Sequence, residues 1–249
     1  MPRPRIIPVL LLSNGGLVKS VRFQKYRYIG DPINAVRIFN DLKADELVFL
    51  DIEATTQNRL ISVNIVKEIG EESNMPFAVG GGISTLQHIQ QIINTGAEKV
   101  VIGTAAVNNT DFIREASETF GSSTICVCID VKKKFLKGER VYSNSGEKSS
   151  NYTPVEFAKL MQEKGAGEII IQSIEKDGAM EGYDLNLIKT ISEAVTIPVV
   201  ALGGAGSVSD LKKAHNDAFA SGSAAGSLFV YQGVKRGVLI NYPERREIL

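Results

Sequence analysis

The 249-residue chain predicts a (β/α)8 barrel assembled from two copies of one (β/α)4 half, at about residues 1–122 and 123–249. Three observations predict it. Eight short apolar runs alternate with amphipathic stretches, as parallel strands buried on both faces alternate with helices. The chain resembles itself at an offset of 122 to 123 residues, where ELVFLDIEAT (46–55) answers EIIIQSIEKD (168–177). The length is that of a typical single barrel of about 250 residues. A doubly wound open sheet is the alternative; the duplication and the eight strands favour the barrel.

RIIPVLLL (5–12) reads as the first strand and answers TICVCIDV (124–131). A helix follows over 31–43, with Asp31 at its N-cap and Pro32 at its first position. ELVFLD (46–51) and PFAV (76–79) are the next strands, then a helix over 85–95 capped by Ser84. KVVIG (99–103) precedes a helix over 109–118 capped by Asn108. The second half repeats the scheme with strands 124–130, 168–173, 198–202 and about 218–226. Its helices are 153–164, 184–194 and 207–215, the last capped by Ser207.

Formal net charge is zero, which gives no sign of a nucleic-acid or other polyanion surface. No apolar run reaches membrane-spanning length. The start, MPRPRIIPVLLLS, lacks a signal-peptide cleavage pattern, so a cytoplasmic protein is expected. Cys126 and Cys128 sit two apart on one strand face and suit core packing rather than a disulfide or a metal. His88 and His215 are the only histidines, both in helical stretches. No metal and no cofactor are expected.

The glycines come in two matching sets. PFAVGGGI (76–83) and PVVALGGAG (198–206) each end a β-branched run, and Gly103-Thr104 and Gly226-Ser227 follow about 23 residues later. Glycine lets backbone N–H groups approach an anion, and a neighbouring hydroxyl adds a donor. One set alone is equally well read as a tight turn needing φ > 0. Two sets at one spacing point to two phosphate sites, hence to a small molecule with phosphate at both ends.

The active face of such a barrel lies at the C-terminal ends of its strands. Asp51, Glu53, Asp130 and Asp177 are expected there. Asp130 and Asp177 are the candidate general acid and base, although an Asp before Gly178 also suits a turn. At the opposite end Arg5, Glu46, Lys99 and Glu168 open four strands and should meet as a salt-bridged ring. Charge on that face ordinarily serves stability.

Together these residues resemble the cyclase subunit family of imidazole glycerol phosphate synthase over nearly the whole chain. The resemblance is carried by RIIP (5–8), GDP (30–32), DELVFLDI (45–52), VGGGI (79–83), TAAV (104–107), TFGS (119–122), GAGEI (165–169), DG (177–178), GYD (182–184) and GGAG (203–206). It implies a glutaminase docked on the bottom face and ammonia entering through a gate of Arg5, Glu46, Lys99 and Glu168. It implies phosphate contacts at Gly81, Gly82, Thr104, Gly178, Gly204 and Ser227, with Lys19 on a long loop after strand one, and acids at Asp130 and Asp177. The family substrate carries two phosphates and is cleaved and cyclised at the top.

The departure is at strand one, where the family reads Cys-Leu-Asp and this chain reads Val9-Leu10-Leu11. Leu11 replaces the family's main acid–base residue, Asn14 replaces a nearby Asp, and Gly103 replaces an Asn. LLLSNGGLVKS (10–20) resembles a paralogous branch associated with acetamidino modification of bacterial surface-glycan sugars. The resemblance to that branch implies ammonia supplied to a separate ATP-using amidotransferase. An ordinary histidine-pathway cyclase and a non-catalytic scaffold that activates a glutaminase are the other two readings.

Overall fold

The computed structural model describes residues 4–233 and 235–248. Eight parallel strands close on themselves. They are β1 (Arg5–Ser13), β2 (Leu47–Asp51), β3 (Phe77–Gly80), β4 (Lys99–Ile102), β5 (Ile125–Lys134), β6 (Glu168–Ser173), β7 (Val199–Leu202) and β8 (Gly222–Ala225). Each pairs with its chain neighbours, and β1 closes the circle against β8 with Arg5 opposite Gly222. The molecule is therefore a (β/α)8 barrel, as the strand count predicts.

The two-residue period of a strand sorts its side chains. On β1, Ile6, Leu10 and Leu12 face outward into the layer beneath the helices, while Ile7, Val9 and Leu11 face the barrel interior. The same alternation puts Val48 and Leu50, Val101, Cys126 and Cys128, and Ile170 on the inside. The interior is thus a packed apolar column, with the larger helix-facing core wrapped around it.

Ten helices are present among the described residues: α1 (Pro32–Asp41), α2 (Val63–Glu72), α3 (Leu86–Ile93), α4 (Thr104–Asn108), α5 (Asp111–Phe120), α6 (Pro154–Glu163), α7 (Leu185–Ala194), α8 (Val208–Asn216), α9 (Ser227–Val230) and α10 (Arg245–Ile248). Asp31 caps α1 through the Asn34 amide, and Ser207 forms a reciprocal capping box with Asp210. Two caps differ from the sequence expectation. The cap of α3 is Thr85, whose hydroxyl accepts from the His88 amide, because Ser84 lies one residue too early. Asn108 ends the short α4; the N-cap of α5 is Thr110, and the Asn109 side chain accepts from the Asp111 amide.

Two hairpins, absent from the sequence expectation, rise from the C-terminal ends of β1 and β5. The first, Gly16–Val21 with Gln24–Gly30, carries Lys19, so the expected long loop is an antiparallel ribbon. The second pairs Gly138–Ser143 with the end of β5. They meet across the top of the barrel, where Phe23 packs against Gly146. Helix α2 is likewise absent from the sequence expectation. Among the described residues no helix is long and apolar enough to cross a membrane.

Candidate functional site

A cavity of about 490 Å³ opens at the C-terminal ends of the strands. Leu11, Leu50 and Cys128 form its apolar floor, Asp130 stands among them, and Gly81, Gly82 and Thr104 line one side. The Thr104 hydroxyl accepts from the Asn144 amide at 2.9 Å, which ties the second hairpin to this side. A second, far smaller cavity of about 30 Å³ is lined by Lys19, Asp177, Gly178, Gly204 and Ser227. Gln172 borders both.

The expected acids separate by what they touch. Asp51 accepts from the Glu53 and Ala54 amides and from the Arg59 guanidinium, and so holds its own loop. Glu53 accepts from the Asn14 backbone and side chain. Asp177 accepts from the Ser20 hydroxyl at 2.9 Å and from Gln172 at 3.4 Å, and thereby fastens the first hairpin. Asp130 meets the weak thiol donor of Cys128 at 3.7 Å. Burial pushes the Asp130 carboxyl up to about 7; the Cys128 contact opposes the shift and the Asp177 charge adds to it. Burial also raises Asp177, against the hydrogen bond from Ser20 and the charge of Lys19.

Lys19 is buried, and its Nζ donates to the Val9 carbonyl at 2.5 Å. Burial lowers its pKa to about 8, with the Asp177 charge opposing. Its ammonium also stands where a Cβ on Gly226 would fall, 2.5 Å away. The Lys19 amine therefore fills the space beside Gly226 in the second cavity, and a larger residue there would displace it.

At the other end of the barrel the four charged residues form a closed ring. Arg5 pairs with Glu46 at 2.6 Å and with Glu168, and Lys99 pairs with Glu46 at 3.1 Å and Glu168 at 3.0 Å. Burial opposes the charge on Lys99, but attraction to Glu168 and Glu46 outweighs it and leaves the pKa above its ordinary value. Glu46 and Glu168 are buried, and each accepts from both cations.

A family model described as "Histidine biosynthesis protein" matches residues 5–235. A Pseudomonas aeruginosa relative with the provisional name imidazole glycerol phosphate synthase subunit hisF2 is 44% identical, over 98% of this chain and 97% of its own. A Vibrio vulnificus relative with the provisional name subunit hisF3 is 41% identical, over 99% and 95%. An Alkaliphilus metalliredigens relative, imidazole glycerol phosphate synthase subunit HisF, is 42% identical, over 92% and 91%. The chain belongs to the HisF family.

In this HisF-family barrel the backbone alone requires a glycine in each set. Gly82 has φ +67°, and a Cβ there would stand 1.8 Å from the Arg59 carbonyl. Gly204 has φ +117°, and its Cβ would stand 2.3 Å from the Gly182 carbonyl. Turn geometry and anion binding thus ask for the same residue. Arg59, Asn144 and Gln172 line the mouth without being expected there, since each lies outside any recognisable motif.

Two outcomes follow from these geometries. Asp130 binds its proton more tightly folded than unfolded, where an Asp titrates at about 3.9. Its contribution to stability is present below about pH 4 and is lost as the pH rises to about 7. Asp130→Asn should therefore stabilise the barrel at pH 8 by up to about 2 kcal/mol, the gain fading towards pH 4. Urea unfolding at both pH values checks this. Glu168→Ala leaves two cations facing one carboxylate and should cost on the order of 3 kcal/mol in the same measurement.

Proposed function

We propose that this barrel receives ammonia from a glutaminase and passes it on, and that it does not perform the cyclisation efficiently. The observation that carries the reading is Leu11. It lies on the apolar cavity floor beside Leu50 and Cys128, at the position where the family resemblance expects the main acid–base residue. An alkyl side chain moves no proton, and loss of a positioned acid or base costs about 10²–10⁴-fold in rate.

The glutaminase docks on the bottom face, and Arg5, Glu46, Lys99 and Glu168 gate the entry. Above them the apolar interior excludes ammonium by its desolvation cost and favours neutral ammonia. Gly81, Gly82 and Thr104 hold one phosphate of a small molecule; Gly178, Gly204, Ser227 and Lys19 hold the other. Asp130 and Asp177 are the acids left at the top. The nitrogen goes to an ATP-using amidotransferase that forms an acetamidino group on a surface-glycan sugar, in the cytoplasm. Hairpins at the same place on β1 and β5 support the two-half origin.

The second reading, an ordinary cyclase, is favoured by Asp130, whose pKa of about 7 suits proton transfer. The two readings separate with free ammonium and the bisphosphate substrate of the histidine pathway. The wild type should turn over at least about 100-fold more slowly than ordinary HisF subunits, and Leu11→Asp should gain activity. Ordinary turnover by the wild type would contradict the proposal.

A further inference from the structure

The second hairpin ends in Lys132-Lys133-Lys134-Phe135-Leu136-Lys137, and every one of these residues is exposed. Phe135 is 87% and Leu136 90% exposed, the most exposed large apolar side chains among the described residues. Isolated exposed apolar residues need no explanation, but two adjacent ones at a tip, surrounded by four lysines, make a defined patch. Glu139 faces Lys133 across the ladder. The salt bridges of the described residues lie elsewhere, so the tip keeps a net positive charge.

The turn itself does not call for these residues. The Lys137 amide donates to the Lys134 carbonyl, and Leu136 takes φ +59°. Asn or Gly suits that conformation, and a bulky side chain is costly there. A leucine that strains its turn and stands in solvent improves neither folding nor solubility.

Position gives the patch its meaning. Asp130 stands in the large cavity, and Asn144 and Ser145, just beyond the returning strand, line the same cavity. Phe135 is five residues beyond Asp130, about 16 Å along the strand. The base of the hairpin is a wall of the mouth. Its tip extends from that wall, so a body seated on the tip stands beside the opening. Across the opening, Tyr26 lines the cavity and Tyr28 is exposed.

We infer that the Phe135–Leu136 tip is the docking point for the ammonia-accepting enzyme, which presents an apolar pocket rimmed by Asp and Glu. This rests on the ammonia-passing reading above. A bilayer is the less suitable occupant, because burying this face in lipid would keep the acceptor enzyme from the mouth that releases the nitrogen.

The test uses the barrel with its glutaminase and a purified ATP-using amidotransferase that forms acetamidino sugars. Affinity for the amidotransferase is measured by calorimetry without substrates. The double change Phe135→Ser and Leu136→Asn should weaken binding at least about tenfold. Lys133→Glu with Lys134→Glu should do the same and flatten the salt dependence. Glutaminase binding and the thermal midpoint should stay unchanged, since Asn fits the Leu136 turn. Unchanged affinity in both variants overturns the inference. So does a wild type that ignores the amidotransferase but binds phosphatidylglycerol vesicles, or itself, through the tip. Binding that depends on the tip with no ammonia delivered leaves the docking inference standing and defeats the ammonia-passing reading.

Discussion

Closure of the parallel strand ladder is the constraint on which the rest of the structure depends. Once β1 pairs with β8, every second side chain must share one interior. Four strands then read as columns from floor to mouth: Arg5, Ile7, Val9, Leu11; Glu46, Val48, Leu50; Lys99, Val101, Gly103; and Glu168, Ile170, Gln172. A charge at the foot of each column, an apolar middle and a mouth residue at the top follow from one alternation. The floor and the mouth are two ends of the same strands.

The two ends resolve buried charge differently. On the floor, opposite charges alternate, and each carboxylate accepts from both cations, so desolvation is offset by attraction. At the mouth, Lys19, Asp130 and Asp177 are shifted toward their neutral forms by burial, with weaker compensation. On the floor, the carboxylates hold Arg5 and Lys99 in their charged forms. At the mouth, burial moves Lys19 and Asp130 towards neutral pH.

Much of this is legible in the sequence. Apolar runs mark all eight strands, and charged residues at strand starts mark the ring, because burial and period act locally. The Gln24–Gly30 strand is not legible, since its residues are mostly exposed and leave no apolar period. Sequence alone misplaces the cap of α3 by one residue and that of α5 by two, as neighbouring Ser, Thr and Asn compete for the position. The glycines are legible as a pattern and ambiguous in meaning, because the turn at Gly82 is satisfied without any ligand. Leu11 is the most informative single residue: it answers Asp130 of the other half, and the family resemblance expects an acid in its place.

The most direct measurement follows nitrogen through the floor. Amide-labelled glutamine is supplied to the barrel, glutaminase and acceptor enzyme in excess unlabelled external ammonium, and label in the product is divided by glutamine hydrolysed. A high ratio is expected for the wild type and a clearly lower one for Lys99→Ala, with partner binding retained. An unchanged ratio in a folded, partner-bound variant would contradict passage through the ring and leave it as a stabilising feature of the floor.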